Sequence, residues 1–189
     1  MSDDRRGGTL IGYQRHVTWM GQEVLTLADI WPKTPRAMIV GLNPAPASVQ
    51  AGHYYQGGSG RRQLGRLIDE GILADPHGPF FEASATDAGI GFTDIVKRPT
   101  PNEKLVGKAE LEYGTATLER ALAVHQVPLV ICVYRHPAKV LLGGKPAPGL
   151  QTQRTSWGGR VFRLPGPYER SHNAAEVMGE LRRALDQSD

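Results

Sequence analysis

The sequence predicts an α/β fold: a three-layer sandwich in which a central, mainly parallel four-stranded sheet is flanked by helices. Two observations predict it. Four short apolar runs, at 37–42, 89–96, 129–134 and 161–164, have the length and continuity of strands buried on both faces. Alternating with them are segments at 61–72, 108–125, 136–142 and 173–185, where apolar residues recur at helical steps. Strand and helix alternate four times, the pattern of a sheet wrapped by crossover helices. At 189 residues, 40% hydrophobic and 22% charged, the chain can bury a core without staples. No repeat, linker or low-complexity tract divides it, so one domain is expected over 10–189, after a loose charged end at 1–9.

Each element has its own local reason. Between Tyr13 and Trp31 the pattern fits a hairpin around Gly21 or an irregular packing segment, and Trp31-Pro32-Lys33-Thr34-Pro35-Arg36 is a turn cluster. The run 37–42 opens the sheet and ends in a loop at 43–60. Leu64, Leu67, Ile68 and Ile72 then form one face of a helix. After the second run, Arg98-Pro99-Thr100-Pro101 forces a loop. Leu111, Leu118 and Leu122 mark the next inner stripe, and Gly143-Gly144 ends the short helix at 136–142. The stretch 143–160 is rich in Gly, Pro and Gln and reads as a long connection. Asn173 with Glu176 reads as the capped start of the last helix.

Composition narrows the function only slightly. Twenty-two basic against nineteen acidic residues leave +3, a mild excess that tolerates nucleic acid without announcing it. The single cysteine, Cys132, permits no internal disulfide and no paired thiolate site, which fits a reducing, cytoplasmic setting. The start, MSDDRRGG, lacks the apolar stretch of a secretory signal, and no segment approaches the ~20 apolar residues of a membrane span. The six histidines show no ligand spacing, so no metal is expected. GGSG at 57–60 lacks the Gly-Lys-Ser/Thr of a nucleotide loop.

Chemistry concentrates at one corner. The first run stops at Gly41-Leu42-Asn43-Pro44, with a second proline at 46 and three rings, His53, Tyr54 and Tyr55, a short loop away. In such sheets ligands bind beyond the carboxyl ends of the strands, where this loop, the 97–100 loop and the 165–167 loop would converge. A stiffly held amide accepts from a water through its oxygen while its NH2 group donates elsewhere, so Asn43 can aim a nucleophile without a change of charge. Asn-Pro after a strand is also a common turn starter, and a tyrosine pair also packs loops.

The stretch GLNPAPASVQAGHYYQGGSGRRQL at 41–64 resembles the first motif of the uracil-DNA glycosylase superfamily, and specifically its mismatch-specific uracil/thymine branch. That branch carries Gly-Ile-Asn-Pro-Gly, a small-residue loop, then Gly-His-His-Tyr. The block GFTDIVKRPT at 91–100 is similar to its Gly-x-Thr-x-x-Val-x-Arg-Pro-Thr segment. The resemblance implies that Asn43 positions the hydrolytic water and that Tyr55 stacks on the extruded base. Gly41, Leu42, Pro44 and His53 complete the motif at the base site. Tyr54 has no counterpart and is either a second wall or a loop anchor. Arg61 and Arg62, after the GGSG loop, and Lys97 and Arg98 are expected to track the DNA backbone.

The last motif departs from the family. Its Asn, His or Met followed by Pro-Ser is here LPGPYERSH at 164–172, with Leu164 at the first position and Gly166 in place of the serine. Arg170 falls where the branch carries a wedge arginine, and Tyr168 rivals it because a ring can insert between base steps. His172 is the candidate for the lost polar contact. Asp94, near the second strand end, is a carboxylate to be tested. The expectation is a monomeric, cofactor-free DNA repair glycosylase acting on DNA that contains uracil or a damaged base. The alternatives are a non-catalytic lesion-binding protein on the same fold and a nucleoside or nucleotide hydrolase.

Overall fold

The structure is a computed structural model that describes residues 9–187. The loose end expected at 1–9 lies, apart from Thr9, outside the described residues. Chain order is β1 (Gln14–Trp19), β2 (Gln22–Leu27), β3 (Ala37–Gly41), α1 (Pro46–Ala51), α2 (Gly58–Asp69), α3 (Glu82–Asp87) and β4 (Ile90–Asp94). A 3-10 turn at Glu103–Leu105 follows, then α4 (Lys108–Val124), β5 (Leu129–Cys132), α5 (Arg135–Leu142), β6 (Gly149–Leu150), β7 (Arg160–Arg163) and α6 (Ser171–Asp186).

The central sheet runs β4-β3-β5-β7-β6, with the first four strands parallel. The expected sandwich is therefore present, with one strand more than expected. Within the 143–160 connection, Gly149 and Leu150 pair antiparallel with Arg163 and Phe162 and close the sheet edge. Gly149 allows this at φ 107, and Glu180 from α6 accepts from the Leu150 N–H at 3.1 Å.

The pleat sorts each strand between two cores. Ile39, Phe92, Ile131 and Phe162 face α2 and α6 through Leu64, Leu67, Met178 and Leu181. Met38, Val40, Val130 and Val161 face α4 and α5 through Leu118, Leu122 and Ala138. All eight strand residues are fully buried, which explains why the runs show no polar alternation. β1 and β2 form the hairpin, turning through Met20 and Gly21 at φ 49 and 80, a pair that suits a two-residue primed turn. Trp19 anchors it by donating to Glu110 of α4 at 3.0 Å.

Three boundaries differ from the sequence reading. Helix α2 begins at Gly58, so Gly58-Ser59-Gly60 is its first turn and not a loop. Gly60 fits there because a Cβ would press on Tyr55 at 2.9 Å. Helix α6 begins at Ser171 with Arg170 as its cap, and Asn173 lies inside it, donating back to Glu169 at 3.1 Å. The 43–60 loop contains α1, which opens on Pro46 in a first turn that needs no N–H from it.

Candidate active site

A cleft opens at the carboxyl ends of β3 and β4. Its inner chamber, about 170 Å³, lies between the β3 corner and the start of α2. Its outer chamber, about 370 Å³, runs on to Asn102, Glu103 and His136. Asn43, Ala45, Tyr55, Asp94 and Tyr134 line both. A larger hollow of about 500 Å³ around Trp157 and Arg160 lies at the opposite ends of β5 and β7, away from these residues.

Asn43 is held by its nitrogen. Nδ2 donates to Thr100 Oγ1 at 2.9 Å, to Thr100 O at 3.2 Å and to Pro44 O at 3.1 Å. Two of these partners are carbonyls, which only accept. The third, the Thr100 hydroxyl, spends its own hydrogen on Asn102 O at 3.0 Å, so it too accepts from Asn43. The amide therefore has one allowed orientation. Its Oδ1 receives no donor among the described residues, on a side chain that lines both chambers. Thr100 N–H also reaches Pro44 O at 3.3 Å, so the two loops are tied through backbone as well. Sequence reasoning quoted Thr100 within its motif without assigning it this task.

Gly41 stands opposite Asp94 in the sheet register. A Cβ there would collide with the Asp94 carboxylate and sit 3.0 Å from the Tyr55 hydroxyl, so glycine makes room for both groups at the cleft floor. Asp94 is 5% exposed, and its carboxylate accepts no hydrogen bond among the described residues. Burial pushes its pKa up to about 7, with Lys97 opposing and Asp29 adding to the rise. Tyr55 holds φ 56, a left-handed backbone unusual for its type, and its hydroxyl is buried with no partner among the described residues. Burial first, then the Asp94 charge, raises its pKa well above the ordinary phenol value.

The aromatic triplet divides. Tyr54 is 3% exposed, stacks on Phe92 at 5.2 Å and donates to Ala28 O at 3.2 Å, so it is a loop anchor that also forms the back of the inner chamber. His53, expected at the base site, does not line either chamber. Its ring stacks on Phe80 at 3.4 Å, and Nδ1 lies 3.3 Å from the buried Glu82 carboxylate. That carboxylate also accepts the Tyr54 N–H at 2.7 Å. Leu42 packs into the α4 core and lines the outer chamber, and Pro44 supplies the carbonyl between Asn43 and Thr100.

Three expected phosphate contacts are committed to the protein itself. Lys97 Nζ donates to Asp29 at 2.6 Å, Asp94 O at 2.8 Å and Thr93 Oγ1 at 3.1 Å. Arg98 grips Glu110 with two hydrogen bonds of 2.9 and 2.7 Å. That grip holds the Glu110 carboxyl below the usual carboxylate range, through the Arg98 hydrogen bond first. Arg61 ties Gln56 to Pro79. Each guanidinium or ammonium closes a loop that the polar backbone would otherwise leave without donors.

The 165–170 loop forms the far rim. Gln63, fully buried, donates to Val133 O at 3.1 Å and Pro165 O at 2.8 Å. Arg66 donates to the carbonyls of Pro165, Gly166, Pro167 and Glu169, with Gly166 closest at 2.7 Å. So pinned, the loop exposes 78% of Tyr168, whose ring lies 5.2 Å from the Arg62 guanidinium carbon. Arg170 and His172 are exposed at the start of α6. Leu164 is buried in the core and offers the cleft nothing polar. Arg66 and Gln63 read in sequence only as the polar side of a helix, because what they bind is backbone a hundred residues away.

Among the described residues no three His, Cys, Asp or Glu side chains are grouped to hold a metal ion, and no helix is long and apolar enough to cross a membrane. Residues 28–186 match the family model described as the uracil DNA glycosylase superfamily.

Proposed function

From the premise that the chain belongs to the uracil DNA glycosylase superfamily, we propose that it hydrolyses the N-glycosidic bond of uracil, or of a related deaminated or damaged base, in DNA. The observation that carries the reading is the locked amide: Asn43 turns its NH2 into Thr100 and Pro44 and leaves Oδ1 to hold a water in the cleft. The target nucleotide leaves the stack and its base enters the inner chamber against Tyr55. Stacking on such a ring is worth about 1–3 kcal/mol and tolerates different bases.

The water oxygen bonds to the sugar C1′ as the bond from C1′ to the base nitrogen breaks. The electron pair leaves with the base, and the backbone N–H groups of Asn43, Ala45 and Ala47, which alternate with Pro44 and Pro46, meet the charge that develops there. The proton shed by the water passes to Asp94, the carboxylate of the same chambers, whose pKa of about 7 suits it to accept at neutral pH. Tyr168 fills the gap in the duplex, because it is the most exposed large ring and its loop is fixed by Arg66. Arg62 and Arg170 supply charge along the same rim, where His172 is also exposed. The protein acts as a monomer in the cytoplasm, without a cofactor.

The test is incubation with an oligonucleotide carrying a single uracil, followed by alkaline cleavage of any abasic site. Strand scission that requires Asn43 is the result expected, and an intact strand at stoichiometric enzyme refutes the chemistry. One observation favours the second reading, a lesion-binding protein without turnover: the 164–166 segment offers only a buried leucine and a glycine where a polar contact to the base or phosphate is needed. Tight, selective binding of uracil-containing DNA with no scission would establish it.

A further inference from the structure

We propose that the inner chamber admits bases of a single ring and that Tyr134 is the side chain that sets this limit, an inference that rests on the glycosylase reading above. The inner chamber measures about 170 Å³. A cavity of roughly 150 Å³ lodges one benzene ring. The room thus suits a six-membered ring with its exocyclic oxygens, and a fused second ring has no place.

Most of the walls cannot retreat. Tyr54 is clamped between Phe92, the Ala28 carbonyl and the Glu82 carboxylate. Gly60 already touches Tyr55 and carries no side chain to withdraw. The β3 corner is held by the Asn43–Thr100 bonds. Tyr134 is different. It stands just beyond β5, is half-buried, and its hydroxyl makes one long hydrogen bond, 3.4 Å to Ser59 at the start of α2.

Tyr134 also lines both chambers, so its ring borders the 170 Å³ inner space as well as the 370 Å³ outer one. The other residues shared by the two chambers are spoken for: Asn43 and Asp94 by the chemistry, Tyr55 by stacking, and Ala45 has no bulk to remove. Truncation of Tyr134 at Cβ merges the two spaces without touching the water-holding amide.

The experiment uses single-stranded oligonucleotides, which remove the opposing base, each with one deoxyuridine or one deoxyinosine. Uncleavable 2′-fluoro counterparts report binding separately from scission. The wild-type protein should favour uracil over hypoxanthine in both readouts by on the order of tenfold or more, the scale on which pocket size discriminates. Tyr134→Phe should keep that ratio, because the ring remains. Tyr134→Ala should collapse it through a gain on the purine, a change that mere loss of folding would not produce. If the alanine variant does not fold, Tyr134→Leu removes the outer part of the ring and carries the same comparison.

Wild-type protein that handles inosine as well as uridine would overturn the size limit and leave the glycosylase reading intact. So would a Tyr134→Ala protein with an unchanged ratio. Absence of scission with a binding ratio that collapses in Tyr134→Ala would refute the chemistry and support the size limit.

Discussion

Replacement of Asp94 by Asn should make the protein more stable and less active, with the stability gain growing as pH rises. The carboxyl is buried at the cleft floor with no donor to its oxygens among the described residues, so folding must desolvate it, and its pKa rises from 3.8 to about 7. A carboxyl raised in this way binds more protons folded than unfolded between these values, so its contribution to stability falls as pH climbs through that window. Below the lower value both states are protonated and nothing is lost; above the upper one the loss is complete. At about 1.4 kcal/mol per pH unit, the penalty is roughly 2 kcal/mol at pH 5 and roughly 4 kcal/mol at pH 8. An amide of the same shape has its own burial cost, but that cost is the same at both pH values. The difference in unfolding free energy between variant and wild type should therefore move by roughly 2 to 3 kcal/mol in favour of the variant from pH 5 to pH 8. Urea unfolding followed by tryptophan fluorescence at the two pH values measures it. An equal difference at both would show that Asp94 carries no such penalty. The variant should also lose the rise of turnover through about pH 7, as expected where a group is kept for chemistry at the expense of stability.

The site makes further commitments. Thr100→Val removes one of three acceptors from Asn43 Nδ2; at about 1 kcal/mol the loss should slow turnover roughly fivefold with KM little changed, and undiminished turnover would detach Thr100 from the amide. Tyr168→Ala should weaken action on duplex DNA by roughly tenfold and on single strands much less, because only a duplex has a gap to fill; the same pattern from Arg170→Ala alone would name the arginine instead. The pairing of Glu110 with Arg98 lowers its pKa, so its stabilisation is present above the ordinary carboxylate range and is lost as pH falls through it. Glu110→Gln should accordingly flatten part of the acid unfolding profile, and an unchanged acid midpoint would refute the pairing's weight.

Much of the fold was legible because the four parallel strands are buried on both faces, so their residues form continuous apolar runs with punctuated ends. The hairpin was one of two readings left open for 13–31, and the turn at Gly21, whose φ of 80 few other residues accept, decides for it. β6 was not, since two residues, one of them half-exposed Leu150, carry no periodicity. Asn43 stood out because motif and strand end coincide on it, and Tyr55 because it closes the same motif. The internal partners of Lys97, Arg98 and Arg61 were not legible for a physical reason: a basic residue in a loop looks alike in sequence whether it faces DNA or binds Asp29, Glu110 or the Pro79 carbonyl. The partner of His53 was hidden likewise, for the buried Glu82 lies 29 residues on. Tyr134 was read as the end of a buried strand, and only the packing of Ser59 and Tyr55 beside it places it in the cleft.

The central claim is that the Asn43 oxygen holds the attacking water. Single-turnover cleavage of a uracil-containing oligonucleotide by Asn43→Ala, set beside its affinity for the 2′-fluoro analogue, tests it most directly. The account predicts that the rate falls by roughly a hundredfold or more, the cost of a misplaced reactant, while affinity barely changes. Equal losses in rate and affinity, or a rate that survives, would contradict it.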